Sequence, residues 1–100
     1  MQLNAAIVGL GFVGRAHLEA LRRLGIPVRG VLASTPERSK ASSESAHLPR
    51  AYVSLEELAA DSSVHVVHLC TPNHLHFPQA SQLLRAGKHL LCEKPLALDS

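Results

Sequence analysis

The sequence predicts a doubly wound α/β fold, a parallel five-stranded sheet with helices packed on it. Three observations predict it. Short apolar runs alternate with helical patterns from end to end. The connections are short, which favours parallel strands joined by right-handed crossovers. Gly9, Gly11 and Gly14 stand between the first apolar run and the first helical pattern, a G-x-G-x-x-G spacing in the strand-then-helix context that gives it a mechanism. If that turn belongs to a dinucleotide-binding fold, the strand order is 3-2-1-4-5.

Leu3 to Val8 reads as a fully buried strand. Gly9 permits the tight turn out of it, Gly11 lets a pyrophosphate approach the backbone, and Gly14 lets the helix pack against the sheet. The helix N-terminus offers unpaired N–H groups and partial positive charge to phosphates. Val13 to Leu24 reads as that helix, with apolar Val13, Leu18, Leu21 and Leu24, and Gly25 as its stop. Pro27 to Leu32 reads as the second strand. Thr35 reads as an N-cap and Pro36 as the first helical position of a Ser-rich helix ending before His47.

Ala51 to Val53 is a short third strand, and Ser54 caps a helix with Glu56 and Glu57 in its first turn, where acids suit the dipole. Val64 to Cys70 is an apolar strand interrupted by His65 and His68. Thr71-Pro72-Asn73 breaks the chain, and Asn73 fits an N-cap. His74 to Ala86 reads as a helix closed by Gly87, and His89 to Cys92 as the fifth strand. A complete domain of this kind would usually offer a sixth strand, so the sequence is expected to be the first part of a longer enzyme.

One hundred residues make one domain at most, and an apolar fraction of 46% can build its core. Aromatics at 3% disfavour a base-stacking platform, and a net charge of +2 spread along the chain leaves no nucleic-acid footprint. No apolar stretch reaches the length of a membrane helix, and the chain enters a strand pattern without a leader-like segment. The expectation is a cytoplasmic protein with neither nucleic acid nor membrane as partner. Cys70 and Cys92 end neighbouring strands without C-x-x-C spacing and read as buried thiols rather than a disulfide. His65 and His68 read as core or neighbour-facing histidines, because no carboxylate or Cys completes a metal set. His17 reads as packing the first helix.

Parallel strands place function at their carboxyl ends. After the first strand come the glycines; after the second, Ala33, Ser34, Thr35 and Arg38; after the fourth, Thr71, Pro72, Asn73, His74 and His76; after the fifth, Glu93, Lys94 and Pro95. The polar residues with plausible chemistry therefore converge on one edge of the sheet.

Gly9-Leu10-Gly11-Phe12-Val13-Gly14 with His17, Thr71-Pro72-Asn73-His74-Leu75-His76, and Ala86-Gly87-Lys88-His89 leading to Cys92-Glu93-Lys94-Pro95-Leu96 resemble the Gfo/Idh/MocA family of oxidoreductases. The resemblance covers essentially all of this chain and the amino-terminal part of a typical member. It implies a Rossmann domain that binds NAD or NADP and a longer protein that oxidises or reduces a sugar, polyol or related alcohol. It assigns Lys94 to the catalytic position beside nicotinamide and substrate hydroxyl, where a cation can stabilise an alkoxide or relay a proton. Cofactor contacts are implied at Gly9, Gly11, Phe12, Val13 and Gly14, at Cys70, Thr71, Pro72, Asn73 and His76, and at Glu93 and Lys94. A second, substrate domain and a homo-oligomer built through it are implied for the whole protein.

NAD-specific members of this fold carry an acid at the end of the second strand. Here Ala33 and Ser34 stand there, Ser34 and Thr35 offer hydroxyls, and Arg38 offers a cation. That departure favours NADP over NAD. Two other functions compete: a non-catalytic dinucleotide-binding or redox-sensing module, and a methyltransferase with a glycine-rich loop. Glu93-Lys94-Pro95 argues for an enzyme origin, although residues 1–100 alone are expected to be inactive.

Overall fold

A computed structural model describes residues 3–9, 12–70 and 73–92. The elements run β1 (Ala5–Val8), α1 (Phe12–Arg23), β2 (Val28–Leu32), α2 (Pro36–Ser45), β3 (Arg50–Tyr52), α3 (Leu55–Ala60), β4 (Val66–Leu69), α4 (Asn73–Arg85) and β5 (His89–Cys92). The strands form one sheet of order β3-β2-β1-β4-β5, and all four pairings are parallel. The order and direction are those the sequence predicts. Several ends differ by a residue or two: β1 begins at Ala5 rather than Leu3, β4 leaves out Val64, His65 and Cys70, and β3 takes in Arg50 and drops Val53. Asn73 is the first residue of α4 rather than a cap before it.

Successive strand residues face opposite sides, so each strand feeds two cores. On one side Ala6, Val8, Leu32, Tyr52, Val67 and Leu69 pack with Leu58 of α3 and Leu83 of α4. On the other, Ala5, Ile7 and Val28 pack with Leu18 and Leu21 of α1 and with Ala46 after α2. β1 lies at the centre, and all four of its residues are buried. That explains its unbroken apolar run, since a strand covered on both faces has no solvent side.

Glycines close two helices as expected. At Gly25 (φ 75°) the Ile26 N–H reaches the Leu21 carbonyl and the Gly25 N–H that of Arg22, a Schellman pair. Gly87 ends α4 with the same pair of bonds. The turn leaves Leu24 74% exposed, so this residue extends the apolar spacing of α1 without joining the core. α2 closes the same way on His47 (φ 58°), a side chain where glycine is usual. The N-caps are also as predicted: Thr35 Oγ1 accepts from the Arg38 N–H, and Ser54 Oγ from the Glu57 N–H.

Gly30 answers a different need. A Cβ there would lie 2.7 Å from the Arg50 carbonyl oxygen and 2.7 Å from Tyr52 Cε2. The edge strand and its aromatic ring lie directly over that glycine, and the Tyr52 hydroxyl reaches Asp61 Oδ2 at 2.6 Å.

Candidate functional site

The first turn of the candidate site is built by the sheet. Gly9 adopts φ 86°, and its N–H donates to the Leu32 carbonyl at 2.8 Å. On the opposite flank the Cys70 N–H donates to the Val8 carbonyl at 2.9 Å. The chain leaving β1 is thus tied to both β2 and β4. Neighbouring strands on either side of β1 lead to crossovers of opposite sense, the place where open α/β sheets bind ligands. α1 starts at Phe12 and Gly14 is buried in its first turn. α1 has no acidic residue in its first turn, whereas α2 has Glu37 and α3 has Glu56 and Glu57. α4 also starts without an acid, so the two acid-free helix starts are those that follow β1 and β4, the neighbouring strands at the centre of the sheet.

The turn after β2 is held from below by Ser39. Its side chain is fully buried, and its Oγ accepts the Ala33 N–H at 2.7 Å. Above it, Ser34 is exposed and its Oγ accepts from Arg38 Nη1 at 3.2 Å. Hydroxyls and a guanidinium thus stand together at this strand end. Glu37, the nearby acid, is exposed on the first turn of α2.

At β4, Cys70 is half-buried against the α1-side core rather than fully buried. Asn73 and His76 belong to the first turns of α4. Gly11, Thr71, Pro72, Glu93 and Lys94 lie outside the described residues, as do the side chains of Phe12, Val13, Asn73 and His76. The described part of the site therefore unites Gly9, Gly14, Ala33, Ser34, Thr35, Arg38 and Cys70 along the ends of three adjacent strands.

Two arrangements were not foreseen from sequence. Ser39 carries only the weak signal of a serine one turn beyond the Thr35 cap. His17 and His68 lie 51 positions apart, yet their Nδ1 atoms are 2.8 Å apart and their rings meet edge to face at 5.0 Å between centroids. Burial, and then the charge of His17, push the His68 pKa below the usual histidine value. Among the described residues no group of three His, Cys, Asp or Glu side chains could hold a metal, and no helix is long and apolar enough to cross a membrane.

The family described as an oxidoreductase family with an NAD-binding Rossmann fold, Gfo/Idh/MocA, matches residues 3–100. Levoglucosan dehydrogenase of Pseudarthrobacter phenanthrenivorans is 36% identical over 95% of this chain and 27% of its own length. Inositol 2-dehydrogenase of Corynebacterium glutamicum is 31% identical over 98% of this chain and 30% of its own. The solved structure of levoglucosan dehydrogenase in complex with NADH and levoglucosan superimposes with a TM-score of 0.86 at 33% identity, covering 97% of this chain and 28% of that one. The chain thus spans less than a third of the length of these relatives.

Proposed function

The chain belongs to the Gfo/Idh/MocA oxidoreductase family, and from that premise we propose that it is the cofactor-binding part of a dehydrogenase or reductase acting on a sugar, polyol or related alcohol or carbonyl. The observation that carries the proposal is the left-handed turn at Gly9, which leads from the central strand towards an acid-free helix start between β2 and β4. A diphosphate would suit that turn: Gly9 takes the left-handed conformation open to glycine, and α1 carries no acid in its first turn to repel an anion. Gly9, Gly11, Phe12, Val13 and Gly14 would hold the diphosphate. Cys70, Thr71, Pro72, Asn73 and His76 would line the track towards the nicotinamide. When bound, the nicotinamide supplies the hydride or accepts it. Lys94 would hold the reacting substrate oxygen and pass its proton, with Glu93 and Pro95 fixing the segment around it.

Ser34, Thr35 and Arg38 would take the adenosine ribose. Hydroxyls and a cation without an acid at the end of β2 support NADP, while the NADH bound in levoglucosan dehydrogenase weighs towards NAD. On this reading, substrate selection would come from a second, substrate domain of the whole protein; the relatives are more than three times as long as the part this chain matches. The same reading sets the whole protein in the cytoplasm, as a homo-oligomer.

Fluorescence titration of the full-length protein with NADPH and NADH tests the cofactor choice, and tighter NADPH binding is expected. Turnover is then measured with a panel of sugars and polyols. Lys94→Ala should lower turnover about a hundredfold or more while dinucleotide affinity stays within about threefold. Equal losses in both would remove Lys94 from the chemistry.

A further inference from the structure

Residues 33–39 form a turn that is tied to itself three times. The Ala33 N–H donates to Ser39 Oγ at 2.7 Å, the Arg38 N–H to Thr35 Oγ1 at 3.1 Å, and the Ser39 N–H to the Thr35 carbonyl at 2.9 Å. The last two are what any capped helix start makes. The first is particular to this chain. Ser39 is fully buried, and its hydroxyl reaches back six residues to the first N–H after β2. Ser34 stands between the tied residues Ala33 and Thr35. It is exposed, as is Arg38, whose Nη1 donates to Ser34 Oγ at 3.2 Å.

A hydroxyl carries one proton and two lone pairs, and a guanidinium carries protons alone. Ser34 Oγ accepts from the Arg38 guanidinium and Thr35 Oγ1 from the Arg38 backbone, so each hydroxyl still has its proton to give. The exposed side of the turn therefore offers donors and a positive charge. That suits a phosphate, which accepts hydrogen bonds, better than a ribose diol, whose own protons need an acceptor. Glu37, the acid of this turn, lines a separate hollow between α2 and β3 with Pro36, Lys40, Ala51 and Val53.

We infer that Ser39 is a positioning residue for cofactor selection. By holding the Ala33 N–H it fixes the turn in the form in which Ser34 and Arg38 meet, and so favours a dinucleotide with a 2′-phosphate over one with a free 2′-hydroxyl. The inference rests on the dinucleotide reading above. Being fully buried, Ser39 acts through Ser34 and Arg38 rather than by contact. Without its hydroxyl the half-buried Ala33 N–H loses its acceptor. That donor then turns towards water or towards the ligand, and either movement carries Ser34, the next residue, away from the guanidinium. The turn at Gly9 leaves β1, not β2, and serves both nucleotides alike, so the loss falls on the one that bears the extra phosphate.

The test is the dissociation constant of the full-length protein for NADPH and for NADH, by fluorescence titration, in the wild type, Ser39→Ala, Ser39→Cys, Arg38→Ala and the Ser39→Ala, Arg38→Ala double variant. The wild type should bind NADPH more tightly. Ser39→Ala should weaken NADPH binding about fivefold or more, the worth of one hydrogen bond to a charged group, and NADH binding no more than about twofold. Ser39→Cys keeps a weak acceptor of similar size, so its NADPH loss should fall between those of the wild type and Ser39→Ala. It carries the comparison if far-ultraviolet circular dichroism shows Ser39→Ala unfolded. With Arg38 already replaced, removing the Ser39 hydroxyl should change NADPH affinity by less than about twofold, because the group it positions is gone. An unchanged NADPH affinity in Ser39→Ala, an equal loss of both nucleotides, or the full loss repeated in the Arg38→Ala background overturns the role of Ser39 and leaves the dinucleotide reading standing. A wild type that prefers NADH does the same. No binding of either nucleotide by the wild type overturns both.

Discussion

Lys88 and Arg38 are both cations beside a strand end, and the fold uses them in opposite ways. Lys88, at the amino end of β5, is buried, and its Nζ donates to the carbonyls of Asp61 and Val64 at 2.7 and 2.8 Å. Arg38, at the carboxyl side of β2, is exposed and meets the Ser34 hydroxyl at 3.2 Å. The difference extends along both ends of the sheet. At the amino end, Asp61 accepts from Tyr52, Ser63 and Arg50, and Asn4 joins His65 Nδ1 and the Ser63 carbonyl. At the carboxyl end, Thr35 and Ser39 fix the backbone of their own loop, and α1 starts without an acid. Polar groups consumed by one another secure the fold, whereas a shaped loop with donors to spare suits a ligand.

The largest effect should come from breaking the amino end. Burial raises the Asp61 pKa, but hydrogen bonds from Ser63 and Tyr52 and the charge of Arg50 outweigh it and hold the carboxyl at about 2. Asp61→Ala strands the Tyr52 hydroxyl in the core and should cost about 2–3 kcal/mol in urea unfolding, with nucleotide affinity unchanged in the folded protein. Gly9→Ala strikes the other end. A Cβ at φ 86° should cost about 1–2 kcal/mol of stability, and nucleotide binding should suffer about tenfold or more. A comparable loss of binding in Asp61→Ala would erase the distinction between the two ends.

Acid should separate the ends in order. The folded-state pKa of His68 is depressed, so its share of stability is present above the unfolded value of about 6.5 and is lost as pH falls through the folded value. The share of Asp61 is present above its ordinary value of 3.8 and is lost only as pH falls towards about 2. Urea midpoints against pH should show the histidine step first, and His68→Val should remove that step alone. The smallest effect lies away from both ends. His47→Gly relieves a left-handed side chain after α2 and should raise stability by about 0.5–1 kcal/mol, read as a higher urea midpoint.

Most of the fold was legible because its signals are local. The central strand shows as an unbroken apolar run, Thr35 and Ser54 show as caps, and Gly25 and Gly87 as stops, each read from a few adjacent residues. The glycine turn was legible for the same reason. Lys88, Asp61, Ser39 and the His17–His68 contact were not. Lys88 reads as a surface lysine until β5 places it over the carbonyls before β4. His68 gains meaning only when α1 folds onto the sheet and delivers His17. Strand alternation tells which side a residue faces, not what the chain brings to meet it.

The absence of a side chain at Gly30 sets how near the outermost strand can come. A methyl group there would drive the phenol of Tyr52 sideways, and its oxygen would slide off the carboxylate between α3 and β4. An alteration in β2 would thus be felt across the domain as a vacated acceptor and a peripheral ribbon standing away from its neighbour.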